Sequence, residues 1–503
     1  MKHLLIPPIF ALFLCFTASA QFRTESSMQL SGMDEKTVLS IRPIGRKGLL
    51  MLLRDKKEKS CKLLSFSTGL QKEAELPIHV DGSWKNLGLF ANEDSTSFTF
   101  LFVGKSSWFI KTFDTQKRTL TEETYKMLDK DFVVRELVRF KDKMVISGLL
   151  HWRPRMLVLD LRSGIQDILK LPNMKNKGNV VSMTTDSGNK RLAIFFRKTR
   201  SKKRGEMNLV FMDADGKLSS PFFLEKDSRY VIIDGSVTWI DEGSFVLAGT
   251  YGLSRFSNHA AGFFFSRWEN YVQQSLQHYS FSRFEDHLDY LPEDHRKIVD
   301  VERQHPNVEN FVQNTVVFHP VYAIDSGYRL ICEVYYRKEE YVTTQTKNLK
   351  GEIEEKTEKV FVGYEYTDAL VLDLDEKGNR IGGYCFPIHL ERRPRKVSAK
   401  LWALKSRSGE LQIIYAYPNG LMIHEIKDHQ IRTKRIEELQ EEIAIPDRIT
   451  NNAGLIYWYG NSYLFFGNQM STEYEEGLFR DYEWVTGRFY FVKKVTYTQE
   501  AFQ

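Results

Sequence analysis

The segment from His424 to His429 contains residue types that bind zinc in hydrolytic sites. It runs His-Glu-Ile-Lys-Asp-His, with two histidines and an acid that could serve as a base. A zinc-binding helix places its histidines four residues apart so that both rings lie on one face, whereas these histidines are five apart. The segment instead has the pattern of a hairpin with its turn at Lys427 to Gln430. We therefore predict a hairpin without metal here.

Histidines and acids are also concentrated between residues 278 and 319. Five of the twelve histidines lie there, so a divalent cation site is conceivable. His287 and His295, however, are eight residues apart, and Pro292 separates them. We interpret the region as a solvated acidic helix pair with scattered histidines, and we predict neither a metal nor a cofactor. The acids in question are Asp286, Asp289, Glu293 and Asp294.

Two acidic turns are similar to calcium loops, but neither continues to the acid that completes such a site. They contain Asp213, Asp215 and Gly216, and Asp373, Asp375 and Gly378. We interpret both as hairpin turns. The chain also has no Gly-x-Ser-x-Gly elbow, no phosphate-binding loop and no Cys-x-x-Cys pair. The sequence thus identifies no catalytic residue and favours a protein that is not an enzyme.

Two basic clusters and one tyrosine form the candidate contact surface. Such clusters could meet a protein, an envelope glycan or an anionic surface, although charged hairpin tips that are merely solvated are common. The candidate residues are Arg197, Lys198, Arg200, Lys202, Lys203 and Arg204 in one loop, Arg392, Arg393 and Arg395 in another, and Tyr290.

The elements that must carry these residues repeat along the whole chain. A strongly apolar strand begins at residues 48, 97, 143, 191, 244, 328, 410 and 462, so five of the seven intervals lie between 46 and 53 residues. Four antiparallel strands with their loops require this length. The eight marker strands are Gly48–Leu53, Ser97–Val103, Lys143–Leu149, Arg191–Phe196, Ser244–Gly249, Tyr328–Tyr335, Glu410–Ala416 and Ser462–Gly467.

The two long intervals predict insertions into the repeat. At about 281–308, Phe281, Phe284, Leu288 and Leu291 fall on one helical face, and Pro292 suits the first turn of a second helix. At 337–363 the chain is rich in Thr, Glu and Lys with alternating character, which favours a long exposed hairpin. We therefore predict one domain over residues 21–503 with a helical and a hairpin insertion.

The marker strands are apolar on both faces, so each sheet must be covered on both sides. Stacking the sheets in a ring covers all of them. The last unit lacks room for a fourth strand, and the strand-like segment Phe22–Leu30 could supply it, which would join the two ends of the chain in one sheet. We predict an all-β fold, a ring of about eight four-stranded units, with seven as the alternative.

This pattern resembles the β-propeller superfamily over essentially the whole chain. The Gly-His and Trp-Asp signatures of WD repeats are absent, as are a Kelch double glycine in every blade and a regular sialidase-type Asp box. The segment from Asp289 to Glu293 is similar to one found in exported bacterial proteins of unassigned function. The resemblance therefore implies the fold, and no functional residue is transferred.

Residues 1–20 have the layout of a secretory signal peptide that is cleaved after Ala20. Cleavage would remove Lys2 and no acid, which takes the net charge from +6 to +5. That balance is too mild to favour a nucleic-acid partner. No later segment is apolar enough to span a membrane. We predict a periplasmic or extracellular location. We expect the stability of the fold to come from packing, and the sequence leaves open whether Cys332 and Cys385 form a bridge.

Taken together, these features favour an exported cell-envelope propeller that binds or scaffolds a partner. The alternative is an enzyme acting on glycan, with carboxylates that converge on the channel from several blades. Such a site would escape a search for linear motifs, because its members come from distant units.

Overall fold

A computed structural model gives the fold of the chain. It describes residues 21–31, 37–54, 60–80, 84–92, 96–172, 178–186, 190–201, 204–224, 230–253, 259–290, 297, 314–347, 353–388, 397–405, 411–417, 420–427, 430–436, 448–449, 454–476 and 482–498.

The described strands form eight antiparallel sheets of four or five strands, which we number as blades one to eight in chain order. The first strand, β1 (Gln21–Ser31), belongs to blade eight. Blade one contains β2 (Val38–Pro43), β3 (Leu49–Arg54), β4 (Cys61–Phe66) and β5 (Lys72–Ile78); blade two contains β6 (Lys85–Ala91), β7 (Ser97–Val103), β8 (Ser107–Asp114) and β9 (Thr119–Lys126); blade three contains β10 (Phe132–Phe140), β11 (Lys143–Leu150), β12 (Arg153–Asp160) and β13 (Gln166–Leu169); blade four contains β14 (Gly178–Thr185), β15 (Leu192–Ser201), β16 (Arg204–Met212) and β17 (Phe222–Phe223).

The second half of the chain repeats the same order of strands. Blade five contains β18 (Tyr230–Trp239), β19 (Phe245–Leu253), β20 (Gly262–Glu269) and β21 (Val272–Ser280); blade six contains β22 (Thr315–Phe318), β23 (Tyr322–Ile324), β24 (Gly327–Lys347), β25 (Ile353–Leu374) and β26 (Arg380–Pro387); blade seven contains β27 (Leu401–Lys405), β28 (Leu411–Tyr417), β29 (Gly420–Lys427) and β30 (Gln430–Ile436); blade eight contains β31 (Arg448–Ile449), β32 (Gly454–Tyr459), β33 (Ser462–Glu476) and β34 (Tyr482–Thr498).

Eight apolar cores lie between the blades, and each joins two consecutive blades. Between blades one and two, for example, Leu50 packs in the same core as Phe100. The core that completes the series contains Leu49 of blade one together with Leu464 and Val492 of blade eight. Because blade eight contacts blade one, the row of sheets closes into a ring. The fold is therefore an eight-bladed β-propeller, which confirms the predicted class and decides against seven blades.

All eight marker strands are confirmed as the second strand of their blade. The reason is visible in β3, where every residue from Leu49 to Leu53 is buried. A second strand has a hydrogen-bonded neighbour on each side and a blade on each face, so both sets of alternating side chains leave water. This double burial produces the continuous apolar runs that the sequence shows.

The predicted closure of the ring by the amino-terminal strand is also confirmed. β1 pairs antiparallel with β34 along its whole length, from Gln21 opposite Thr498 to Ser31 opposite Phe489. The side chain of Leu30 packs against the core between blades one and eight. The outermost strand of blade eight thus comes from the opposite end of the chain.

The two insertions differ in how closely they follow the sequence pattern. The hairpin is confirmed, since β24 and β25 remain paired from Tyr328 opposite Leu374 to Lys347 opposite Ile353. The helical insertion is wound more tightly than expected, because Phe281–Arg283 and Glu285–Tyr290 are 3₁₀ helices and not α-helix. The second helix predicted from Pro292 lies outside the described residues. No helix in the described part of the chain is long and apolar enough to cross a bilayer.

Cys61, Cys332 and Cys385 are free and buried. Cys332 in β24 and Cys385 in β26 both lie opposite Leu370, which belongs to the strand between them. Two strand spacings separate their backbones by roughly 9–10 Å, beyond the reach of a disulfide. The Cys332–Cys385 bridge left open by the sequence is therefore incompatible with this register.

Candidate functional site

The innermost strand of each of the first five blades contains a β-bulge close to its start. The register of pairing shifts between Val38 and Ser40, Asn86 and Gly88, Val134 and Glu136, Val180 and Ser182, and Ile232 and Asp234. Bulges bend a strand and re-aim the side chains that follow them, and they are common next to functional sites. The residue after the bulge is therefore an equivalent position in five blades, on the strands that surround the ring axis.

Glycines in the second strand make room for two of these bulges. A Cβ atom on Gly148 would come 2.5 Å from the backbone oxygen of Val133, and one on Gly249 would come 2.0 Å from that of Asp234. Carbon and oxygen cannot approach so closely, so the inner strand can adopt its bulged path in blades three and five only because these residues have no side chain.

Two of the five positions after a bulge carry a carboxylate, Glu136 in blade three and Asp234 in blade five. Both side chains belong to half-buried residues. The other three positions are Ser40, Gly88 and Ser182. The repeated architecture thus places two acids of distant sequence on the inner strands of blades that flank blade four.

Burial raises the pKa of Glu136 to about 7, and the negative charge of Asp234 adds to this shift. Among the described residues, no hydrogen bond donor is directed at the Glu136 carboxylate. A carboxylate that loses water without gaining donors favours its protonated form. Glu136 is therefore poised to exchange a proton near neutral pH.

The surroundings of Asp234 include groups that stabilise its charged form as well as burial that disfavours it. Burial raises its pKa to about 6, whereas the backbone amide of Gly235, which donates to Oδ1 at 2.7 Å, and the charge of Arg197 oppose that rise. Because Asp234 has a donor and a cation nearby, its charged form is favoured more than that of Glu136. Both acids therefore have raised pKa values, and that of Glu136 is the higher.

Arg197 completes a set of three, which we call the inner-strand site: Glu136, Arg197 and Asp234. Arg197 lies in β15 of blade four, and its Nε donates to Oδ1 of Asn179 in β14 at 3.4 Å. Burial lowers the pKa of this guanidinium and the charge of Asp234 raises it. One cation from blade four thus interacts with an acid from blade five, and that acid with another from blade three.

A second group of polar and aromatic side chains lies at the edge of blade three. Trp152, in the turn between β11 and β12, is 89% exposed. The ring nitrogens of the adjacent His151 lie 3.6 Å from a carboxylate oxygen of Asp129 and 3.6 Å from one of Asp131. We call these four residues the rim patch. Acids beside an exposed indole can bind a sugar ring, whose hydroxyls donate hydrogen bonds and whose apolar face stacks on the aromatic ring.

The rim patch and the inner-strand site belong to the same end of blade three. Phe132, the first residue of β10, pairs with Leu150, which immediately precedes the turn that carries Trp152. Glu136 pairs with Ser147 further along the same two strands. Trp152 follows Ser147 by five positions, which correspond to roughly 15 Å of extended chain. An elongated ligand could span both groups.

The candidate contact residues are distributed differently from the prediction. Arg197, Lys198 and Arg200 lie within β15, and Arg204 begins β16, so they belong to paired strands and not to one loop. They lie in strands and not in a loop because β15 and β16 remain paired this far, with Lys198 opposite Glu206. Lys202, Lys203, Arg392, Arg393 and Arg395 lie outside the described residues. Tyr290 is half-buried and packs against the core between blades five and six.

The motif at residues 424–429 is a hairpin, as predicted. Lys427 at the end of β29 pairs with Gln430 at the start of β30, and His429 lies outside the described residues. The ring of His424 is buried, stacks on Phe386 at 4.1 Å and hydrogen bonds through Nδ1 to Thr433. Burial lowers its pKa to about 4. It is a neutral core histidine.

The sequence contained a signal for the inner-strand acids that motif searching missed. Glu136 interrupts Phe-Val-Val-Arg-Glu-Leu-Val, and Asp234 follows Val-Ile-Ile, so each is an acid within an apolar strand. A buried acid without an adjacent partner in sequence is a candidate functional residue. What the sequence alone does not show is that the two strands lie near one another.

No protein-family model matches the sequence, and no curated protein is significantly similar to it. Among solved structures, the tricorn protease aligns with 83% of this chain over 36% of its own, at 9% identity and a TM-score of 0.38. A prolyl endopeptidase structure aligns with 78% of this chain over 54% of its own, at 10% identity and a TM-score of 0.34.

The dihydro-heme d1 dehydrogenase NirN, in complex with DHE, aligns with 81% of this chain over 77% of its own, at 10% identity and a TM-score of 0.33. The chain spans about a third of the length of the tricorn protease and about half of that of the prolyl endopeptidase. TM-scores of this size carry no inference about the present protein.

Proposed function

We propose that the protein is an exported cell-envelope propeller that binds an envelope glycan through the inner-strand site and the rim patch. The observation that carries the proposal is the placement of Glu136, Arg197 and Asp234 on three consecutive blades, with both acids half-buried and directly after a β-bulge of the inner strand. Acids whose pKa values are shifted by burial and by neighbouring charges are candidates for a ligand-binding or reaction site. Export itself is proposed from the signal-peptide pattern of residues 1–20, which lie outside the described residues.

A polyhydroxylated ligand fits both groups. The carboxylates of Glu136 and Asp234 can accept hydrogen bonds from hydroxyls, and the guanidinium of Arg197 can donate to ring or hydroxyl oxygens. Trp152 offers an open aromatic face on which a sugar can stack. The ligand would thus replace the water that these groups lose on folding.

The test is co-sedimentation of the purified protein with envelope polysaccharide from the source cells, followed by calorimetry with soluble fragments of it. We expect Glu136→Gln and Asp234→Asn, which preserve shape, each to weaken binding about tenfold or more because each removes a charge-assisted hydrogen bond. Asp167→Asn is the matched control, since Asp167 is an exposed acid on the outer strand of blade three. Equal binding by all three variants and the wild type would disprove the proposal.

A second candidate, hydrolysis of the same glycan, is supported by the two inner-strand acids, whose pKa values are both raised. Glycoside hydrolysis needs one acid that is protonated and one that is ionised at the working pH. The pKa values of about 7 for Glu136 and about 6 for Asp234 would give these forms at mildly acidic pH. New reducing ends that form with the wild type but not with Glu136→Gln would establish an enzyme, whereas binding without cleavage would leave the binding protein.

Binding to an anionic surface through the basic residues stays a prediction of the sequence. It can be separated from glycan binding by reversing charge at Arg392, Arg393 and Arg395. Sedimentation with anionic vesicles at low salt should then fall, while glycan binding should remain. No effect on vesicle binding would remove this alternative.

A further inference from the structure

An imidazole, a carboxylate and a thiol lie together where the segment 281–290, which precedes blade six, meets the strands of that blade. They belong to His287, Asp368 in β25 and Cys385 in β26. Nδ1 of His287 lies 2.9 Å from Oδ2 of Asp368, and Sγ of Cys385 lies 3.3 Å from the same oxygen. The three ligand atoms all lie within 4.8 Å of one another, and the residues are 0%, 0% and 4% exposed. We propose that this cluster is a structural zinc site that fastens residues 281–290 to β25 and β26.

Two of the three separations between the ligand atoms are close to those of a zinc site, and the third is no more than 4.8 Å. Tetrahedral zinc with nitrogen, oxygen and sulfur ligands at their usual bond lengths holds those atoms about 3.3–3.6 Å apart. The two separations that share the Asp368 oxygen differ from this range by only a few tenths of an ångström. Small side-chain rotations are therefore sufficient to admit the ion. The mixture of nitrogen, oxygen and sulfur favours zinc over calcium or magnesium, which prefer oxygen alone.

Charge balance also favours a divalent cation. The wholly buried Asp368 carboxylate has the Cys385 thiol at 3.3 Å and the His287 imidazole at 2.9 Å. With Zn²⁺, the thiol loses its proton to solvent, and one carboxylate, one thiolate and one neutral imidazole balance the ion.

The groups around the three ligands are those of a metal site. Asn314 contacts the other ring nitrogen of His287, at 3.1 Å from Nε2, and Tyr336 donates to Oδ1 of Asn314. Turning the Asn314 amide by half a rotation lets its oxygen accept from Nε2–H, and its NH₂ group then donates to Tyr336. The imidazole proton moves from Nδ1 to Nε2, which frees Nδ1 for zinc. Thr367 in turn donates to Oδ1 of Asp368 at 2.6 Å.

The alternative of a reactive cysteine is disfavoured by the same geometry. Cys385 is buried, whereas a nucleophilic thiol must be accessible to its reaction partner. A structural ion that enters during folding needs no permanent access route. A structural zinc site takes all four ligands from the protein, and Asp286, which precedes His287 in the same 3₁₀ helix, is the candidate for the fourth.

The experiment measures zinc in untagged protein purified from zinc-supplemented cells. We expect about one zinc per chain by elemental mass spectrometry, and its loss in Cys385→Ser. Cys61→Ser is the matched control, because Cys61 is a buried, free cysteine of blade one, and it should retain the ion. Tyr336→Phe, which removes the hydroxyl that contacts Asn314, should weaken zinc affinity about tenfold.

Cobalt substitution provides a direct spectroscopic readout of the thiolate ligand in the wild-type protein. Protein refolded with Co²⁺ should show the near-ultraviolet absorption of a thiolate bound to cobalt, and Cys61→Ser should keep that band. A wild-type protein that refolds with zinc yet retains none after dialysis would overturn the proposal. Equal zinc content in Cys385→Ser and Cys61→Ser would overturn it as well.

Discussion

Arg329 and Asp373 form a buried bidentate ion pair in blade six. Nε lies 2.6 Å from Oδ1 and Nη2 lies 2.7 Å from Oδ2. The remaining Nη1 donates to the backbone oxygen of Leu411 in blade seven at 3.1 Å. One guanidinium thus fixes two strands of its own blade and the first residue of β28 in the next.

We predict that Asp373→Asn lowers the free energy of unfolding by about 3–5 kcal/mol, because it leaves the Arg329 charge buried without a counter-charge. Chemical denaturation followed by intrinsic fluorescence measures the change. The control is Asp142→Asn, which breaks the exposed Arg162–Asp142 pair and should cost less than about 1 kcal/mol. Similar losses in the two variants would contradict this account of the blade interface.

The amino-terminal strand should contribute strongly to stability. Removing residues 21–31 exposes the edge of β34 and loses a ladder of backbone hydrogen bonds, each worth about 1 kcal/mol. We predict a marked fall in Tm by calorimetry. Leu30→Asp should reproduce part of the loss because Leu30 packs between blades one and eight, whereas Ser27→Ala, at an exposed position, should not. An unchanged melting curve for the deletion would refute ring closure by β1.

The sequence predicted the ring because the second strand of each blade is buried on both faces and therefore appears as a continuous apolar run. Leu49–Leu53 is the plainest example. It overestimated the insertion helix for a physical reason. Phe281 and Phe284 are three residues apart, and that spacing places side chains on one face of a 3₁₀ helix as well as of an α-helix. Their burial was therefore predictable, whereas the type of helix was not.

The candidate sites were less predictable because they depend on contacts between distant segments. Glu136 and Asp234 come from blades three and five, and each follows a bulge that has no consistent residue type here. Similarly, His287 and Asp368 are 81 residues apart, and Cys385 joins them only through the register of β26 with β25. Motif searching examines spacing along the chain and cannot detect either arrangement.

The inner-strand acids should make stability depend on pH. Both bind a proton more tightly in the folded chain than in the unfolded chain, where their pKa values are about 4. Their contribution is therefore complete below about pH 4 and is lost as the pH rises through about 6 for Asp234 and about 7 for Glu136. The loss should amount to about 1–2 kcal/mol after allowance for solvent screening at these half-buried positions.

Unfolding free energies measured at pH 5 and pH 8 test this expectation. Glu136→Gln and Asp234→Asn cannot ionise, so each should reduce the difference between the two pH values and should gain stability relative to the wild type at pH 8. The exposed control Asp167→Asn should leave the difference unchanged. If the wild type becomes more stable between pH 5 and 8, and the variants show the same dependence of stability on pH, then folding does not raise the pKa values of these acids.

The turn that carries Trp152 should gain stability when its ligand-binding residues are replaced. His151 has a φ of 48° and Trp152 a φ of 63°, both in the left-handed region that ordinary side chains avoid. Asparagine followed by glycine suits such a two-residue turn best. We predict that His151→Asn with Trp152→Gly raises the unfolding free energy by about 1 kcal/mol and weakens glycan binding about tenfold.

A second turn of the same geometry shows why this combination would indicate function. Asn270 and Tyr271 have φ values of 48° and 62°, but Tyr271 packs against the core of blades four and five and donates to the backbone oxygen of Glu242 at 2.8 Å. Tyr271→Gly should therefore destabilise the fold, because the stability lost with this packing and this hydrogen bond exceeds the stability gained by relieving the backbone strain. Trp152 is exposed, so no burial of its side chain offsets the strain in its backbone. If Trp152→Gly instead lowers the Tm as Tyr271→Gly does, the indole has a structural role and the rim patch is not a binding surface.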